Sequence, residues 1–391
     1  MPRLLKNFFK KGTIYGVSST SARSGIDWWL FGATIPLLCA GLVTMYSFTG
    51  DNSFALHQLI WVVFSLVLFF LVSHVDMRFL RSTRVAVTLF SAACILLVVL
   101  FLVGKVSHGA ASWISFGLFS FQPSDMAKLV LLIILAKYFS RRHIEIANMR
   151  HIIVSGLYAA ILFVLVIVHP DLGSAMIIFL IWLGMVMISG ISKKHLLVML
   201  GLVIVVVSLL WNFGFKEYQK DRIRNFVNPL ADIHGAGYNA YQSTIAVGSG
   251  QLLGKGLGYG TQSRLKFLPE YQTDFIFAAF AEEWGFVGVL IMFSLFGVII
   301  WRIIVNAERG ATNFEILYGA GVAVFFIVHI AVNVGMNIHL LPVTGTPLPF
   351  MSYGGTHLVT EFLALGILMA MRRYARPVHK DVAKNEFIGP Q

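Results

Sequence analysis

R-L-K-F-L-P-E-Y-Q-T-D-F-I-F-A-A-F-A-E-E-W-G, running from Arg264 to Gly285, sets Lys266, Glu270 and Asp274 immediately before an apolar run that itself contains Glu282 and Glu283. Elsewhere charge gathers at the ends of apolar runs. Charged groups at membrane depth are costly and mark function by default. The stretch therefore reads as the outer end of a membrane helix with a polar site at its mouth.

Working outward, apolar runs recur at 27–48, 57–73, 85–103, 123–139, 152–168, 173–190, 195–213, 274–303, 316–338 and 355–371. A span needs about 20 apolar residues, with roughly 17 as the lower limit. The expectation is an all-α integral membrane protein of about ten transmembrane helices. The fourth run is the weakest, because its purely apolar part, Leu129 to Leu135, is short. With 57% hydrophobic and 12% charged residues, the chain lies far from soluble composition.

The net charge of +12 follows topology. Segments 1–26, 74–84, 137–151, 191–194, 302–315 and 372–391 hold 21 of the 30 Lys and Arg, and short basic loops face the cytoplasm. Both termini are expected inside, with one large extracellular loop, 214–273, between the seventh and eighth helices. The basic residues form no continuous stripe, so nucleic acid is not a partner. The expected organisation is a basic tail over 1–26, one transmembrane domain over 27–371 and a cytoplasmic tail over 372–391. Residues 1–26 lack the apolar core of a cleavable signal. Cys39 and Cys94 sit within apolar runs, where a small buried hydrophobe is the expected role.

Within the large loop, Phe215 to Asn228 interleaves basic and apolar residues as an interfacial amphipathic helix does. Gly248 to Gly260, G-S-G-Q-L-L-G-K-G-L-G-Y-G, reads as a flexible surface loop. Its Gly-Lys is not followed by Ser or Thr, and no strand precedes it. Near the end, L-L-P-V-T-G-T-P-L-P-F-M-S-Y-G-G (Leu340 to Gly355) cannot be a lipid-exposed helix, so its backbone is expected to be buried or to line a cavity.

Two readings of Asp274 stand. Thr273 caps the eighth helix and Asp274 complements its dipole, or Asp274 is a partly desolvated carboxylate fit for general-base work. Asp125 and Lys128, three apart, share a helix face and are expected to pair toward the bundle interior. Asp171 reads as helix-start punctuation. One of Glu282 and Glu283 is expected to face a polar interior. The twelve His show no metal-ligand spacing.

Four stretches, Gln122 to Lys128 (Q-P-S-D-M-A-K), His169 to Ala175 (H-P-D-L-G-S-A), Phe267 to Gly288 and Leu340 to Gly355, resemble the SEDS family (shape, elongation, division and sporulation). Asn333-Val-Gly-Met336 and Gly260-Thr-Gln262 are similar to its elongation branch. The resemblance implies a peptidoglycan glycosyltransferase in the bacterial cytoplasmic membrane that polymerises lipid II, with an undecaprenyl-pyrophosphate-linked glycan as donor. A class B penicillin-binding protein would supply transpeptidation, membrane lipids would be further partners, and apolar grooves between helices would hold the long prenyl tails. The family's essential aspartate falls on Asp274, and its helix-4 acid and lysine on Asp125 and Lys128. Asp125 stands where Glu is usual, His339 where Gly is usual, and Glu361 adds an acid.

On that reading Asp274 is the base, and Asp125, Lys128, Arg222, Arg224, Lys255, Lys266, Glu270 and Ser352 bind or support the substrate. A divalent cation, Mg or Mn, is compatible with the chemistry, but no clear ligand set encodes one. Asp274, Asp125 and Lys128 are expected to open into one outward cavity. A lipid II flippase and a scaffold that activates a penicillin-binding protein are the competing readings.

Overall fold

The computed structural model describes residues 25–373 apart from 49–52, 104, 108–109, 117–118, 142–148, 170, 191, 193, 200, 202–207, 209–210, 213–216, 228–235, 266 and 269. Its long helices are α1 (Trp28–Phe48), α2 (Ser53–His74), α3 (Thr83–Val103), α4 (Pro123–Ser140), α5 (Met149–Val168) and α6 (Leu172–Ser189). The shorter α7 (Glu217–Val227) and α8 (Ala236–Ser249) precede α9 (Ile276–Glu308), α10 (Asn313–Asn337) and α11 (Gly355–Arg372). Seven of these are long and apolar enough to cross a membrane. The protein is an all-α membrane bundle in its spanning part, and nine of the ten apolar runs coincide with long helices. The seventh run, 195–213, lies mostly outside the described residues.

α4 explains its own weak signal. Asp125, Ala127, Lys128 and every residue from Leu131 to Ala136 are buried, because α3, α5, α6, α10 and α11 all pack on it. A helix that meets protein on every side need not be uniformly apolar. Around this centre α11 packs on α2, and α9 on α1 and α10.

Three features depart from the sequence expectation. A small antiparallel sheet, β1 (Lys105–Ser107), β2 (Ala110–Phe116) and β3 (Phe119–Phe121), connects α3 to α4 on the outer side. Its strands are too short to register against the apolar runs beside them. Secondly, α9 begins at Ile276, not at Asp274, and is broken at Gly285, whose φ of 65° and ψ of −168° are not helical. A side chain there would collide with the backbone of Leu252 to Gly254, and glycine alone tolerates both conditions. Residues 286–308, about 34 Å of helix, suffice to span, while 276–284 forms a separate outer segment buried within protein.

Thirdly, the glycine-rich stretch 248–260 packs against that break. The N–H groups of Lys255 and Gly256 donate to the carbonyls of Glu282 and Glu283 at 3.0 and 3.1 Å. Those of Phe286 and Val287 return to Gln251 and Leu252.

The cytoplasmic end of the bundle is closed by a buried ion pair. On the cytoplasmic side Arg302 and Asn306 of α9 donate to Asp27, which also accepts the N–H groups of Trp29 and Leu30 at the start of α1.

Candidate active site

Asp274 lies in the turn before α9, set by Glu270. Glu270 adopts a φ of 52°, and its carbonyl accepts the N–H groups of Thr273, Asp274 and Phe275 at 3.2–3.3 Å. Thr273 does not cap the helix: its hydroxyl donates to the Glu270 carbonyl and carboxylate. No side chain at Phe275 caps α9 either.

The missing cap comes from α10. Asn337 accepts the Ala278 N–H through Oδ1 at 3.3 Å and donates through Nδ2 to the Asp274 carbonyl at 3.1 Å. One turn earlier, Asn333 donates to the same carbonyl at 3.0 Å and to the Thr346 carbonyl at 2.7 Å. Two amides on one helix face thus hold the backbone of Asp274.

The other wall is the segment 340–354. Thr344, Thr346, Leu348, Phe350, Met351 and Ser352 are buried in it, as the prolines and glycines require. Ser352 donates to the Thr273 carbonyl at 2.6 Å and accepts the Leu348 N–H at 2.7 Å. Gln58 of α2 donates to the Ser352 carbonyl, and the Tyr353 N–H donates to Gln272. Gly345, at a φ of 70°, lies so close that a Cβ would come within 3.3 Å of Asp274 Oδ2.

The carboxylate itself is half-buried, and no hydrogen bond to it is formed among the described residues. Burial, then the negative charge of Glu270, push it up to about 7, with Arg222 pulling the other way and Asp171 adding to the rise. Asp171 caps α6 through the Ser174 N–H at 2.9 Å. It also accepts from Gln122 and Ser124 at the outer end of α4.

Of the basic candidates among the described residues, only Arg222 bears on Asp274. It lines a cleft with Asn225, Phe226, His339 and Pro342, and it forms no ion pair among the described residues. Arg224, on the same helix α7, is exposed and paired to Glu217 and Asp221. Lys255 is turned inward onto Glu282 at 2.8 Å, and Lys266 lies outside the described residues.

Asp125 and Lys128 pair at 2.8 Å but are only 2% and 1% exposed. The expected shared outward cavity is therefore not formed among the described residues; the pair belongs to a closed cluster deeper in the bundle. His357 lies 3.6 Å from Asp125 and 2.9 Å from Glu361. Glu361 accepts the Phe350 N–H at 3.1 Å, and the His329 ring packs 4.9 Å from that of His357. The cluster reaches Asp274 only indirectly. His329 and Asn333 are one turn apart on α10, and Phe350 belongs to the wall segment.

Both Glu282 and Glu283 face the interior. Glu282 gathers Lys255, Thr261 and the Gln262 N–H on one oxygen. Glu283 accepts the Gly258 N–H and the Ser47 hydroxyl, each at 2.6 Å. The roles of Asn337, His357 and Glu361 had a faint sequence signal: polar residues four apart on apolar helices, Asn333 with Asn337 and His357 with Glu361.

Residues 25–377 match the family model described as cell cycle protein, FtsW/RodA/SpoVE. The chain belongs to the FtsW/RodA/SpoVE family. It is 37% identical over 297 residues to the peptidoglycan glycosyltransferase MrdB of Escherichia coli strain K12, covering 75% of this chain and 79% of that one. Stage V sporulation protein E of Bacillus subtilis strain 168 is 37% identical over 380 residues, covering 91% and 100%. Among solved structures of this family, Thermus thermophilus rod shape determining protein RodA aligns with a TM-score of 0.67 at 27% identity, over 90% of this chain and 98% of that one. A chain from a peptidoglycan synthase complex in which polymerisation and crosslinking are coordinated aligns with a TM-score of 0.76 at 28% identity, over 89% and 98%.

Proposed function

We propose that this chain is a peptidoglycan glycosyltransferase of the bacterial cytoplasmic membrane, acting in cell elongation, and that Asp274 is its general base. The reading rests on family membership, on relatives named peptidoglycan glycosyltransferase, and above all on one observation. A carboxylate at the outer membrane boundary is held by its backbone while its side chain forms no hydrogen bond among the described residues, and burial raises it to about 7.

The substrate is lipid II. The 4-hydroxyl of the acceptor sugar attacks the anomeric carbon of a glycan linked to a prenyl pyrophosphate, inverting α to β. As the new glycosidic bond forms and the bond to the pyrophosphate oxygen breaks, Asp274 takes the hydroxyl proton. A base whose pKa lies near the operating pH is best matched to this transfer, worth ~10²–10⁴-fold in rate. Arg222 offers the positive charge that the departing pyrophosphate needs. Glu270 and Ser352 position the turn. Asp125 and Lys128, enclosed as they are, support the bundle against which α10 and the 340–354 wall are set.

A divalent cation would meet the charges of Asp274, Glu270 and Asp171. Among the described residues, however, no three His, Cys, Asp or Glu side chains converge to ligate one, so no step here is routed through a metal. The partner is a class B penicillin-binding protein, which would cross-link the strands made here.

The test is reconstitution in liposomes with labelled lipid II. Loss of polymer in Asp274→Asn supports this reading. Lipid II crossing the bilayer with no polymer from the unmodified protein would replace it with a flippase, and full polymer from Asp274→Asn would refute the assigned base.

A further inference from the structure

The loop from Gly250 to Gly260 combines two properties that do not occur together on a surface built for water. Its backbone is turned inward: the N–H groups of Gly254, Lys255, Gly256, Gly258 and Tyr259 all bond within the protein. Its one charge, Lys255, is spent on buried Glu282. Beside Gln251 and Gly256, what it presents outward is Leu252, Leu253, Leu257 and Tyr259, with Leu253 81% and Tyr259 69% exposed.

Depth follows from helix lengths. Ser47, which bonds Glu283 beside this loop, ends a 20-residue apolar span that starts at Trp28, about 30 Å along the helix. Glu283 is 19 residues from Arg302, which meets Asp27 at the cytoplasmic end of α1, again about 28 Å. Both measures match the ~30 Å hydrocarbon thickness of a bilayer and put the loop at its outer boundary. The patch also continues into the lipid-facing side of α9, where Phe286, Val287, Leu290 and Ile291 are exposed directly below it. A non-helical segment approaches an apolar phase at least cost when its backbone groups are satisfied internally, and here the N–H groups of Gly254, Lys255, Gly256, Gly258 and Tyr259 are.

We propose that the 250–260 loop is an interfacial membrane anchor whose leucines and Tyr259 enter the outer leaflet at the boundary between head groups and acyl chains. Its occupant is lipid. Through the hydrogen bonds at Gly285 it fixes the outer segment of α9, and with it Asp274, at the level where a prenyl-linked pyrophosphate emerges from the bilayer.

The test uses the full chain with Cys39 and Cys94 replaced by Ala, reconstituted in phosphatidylcholine vesicles and labelled with a bimane fluorophore at Leu253→Cys or, separately, Leu257→Cys. Ile291→Cys and Asp221→Cys serve as lipid and water references. Nitroxide placed near the top of the acyl chains should quench both loop positions severalfold more than aqueous iodide does, as at Ile291. Quenching dominated by iodide, as at Asp221, would overturn the proposal. Loss of lipid quenching when a penicillin-binding protein is co-reconstituted would also overturn it and assign the patch to that protein.

Discussion

Asn337 holds Asp274 by its main chain: the amide donates to the Asp274 carbonyl at 3.1 Å while its oxygen takes the Ala278 N–H. The same side chain therefore caps the outer segment of α9 from another helix and fixes the residue that precedes it. Asn337→Leu should cost about 1–3 kcal/mol of stability, because it strands buried donors and acceptors. Polymerisation by the folded fraction should fall in kcat with KM little changed, since the base is displaced and not removed. Thermal unfolding and steady-state kinetics with lipid II check the two effects separately.

The pH dependence of Asp274 has a definite sign. A base with its pKa near 7 must be deprotonated to work, so kcat/KM should fall tenfold per pH unit below about 7. Stability runs oppositely. A carboxyl raised in the folded state is unstrained at low pH, where both states are protonated, and destabilises the fold as pH rises from the usual carboxylate range through 7. After allowance for partial solvent screening, that cost is on the order of 1 kcal/mol. Asp274→Asn should accordingly abolish polymerisation while raising the melting temperature at pH 8 but not at pH 4.

Arg222 and Arg224 lie two residues apart, and the structure separates them. Arg222 lowers the Asp274 pKa, so Arg222→Gln should move the pH profile to higher pH and weaken use of the pyrophosphate-linked donor. Arg224, exposed on its own two acids, should tolerate Arg224→Gln with stability and activity intact. Parallel pH–rate profiles of the two variants decide it.

The buried pair on α4 should behave as a unit. Lys128→Met alone leaves the Asp125 charge enclosed beside His357 and Glu361, and breaking a buried pair in this way costs about 3–5 kcal/mol. Replacing both partners, Asp125→Leu with Lys128→Met, should recover a substantial part of that loss. Denaturation of the single variants Lys128→Met and Asp125→Leu and of the double variant in detergent gives the coupling directly.

Much of the bundle was legible because lipid imposes one rule on every spanning helix, and run lengths with basic loop ends reveal it. The break at Gly285 was not legible, because one glycine in an apolar run looks like any other until Leu252 to Gly254 are found against it. Asp274 stood out as a charge at a run's mouth. Its handlers did not: Asn337 is 63 residues away, and Lys255 meets Glu282 across 27. Such pairings depend on how distant segments fold together, to which local pattern is blind. Arg224 and Lys255 looked as suitable as Arg222 for the same reason, since composition records a charge but not the partner that already holds it.

α4 has one more consequence, for biogenesis. Wrapped by five helices and carrying Asp125 and Lys128 in its first two turns, it is poorly suited to leave the translocon alone, since charged residues within a span disfavour its insertion. It has to partition together with flanking segments, so chains truncated just after Ser140 should fail to integrate this helix, and glycosylation tags placed beyond it would report the later stage at which it is admitted.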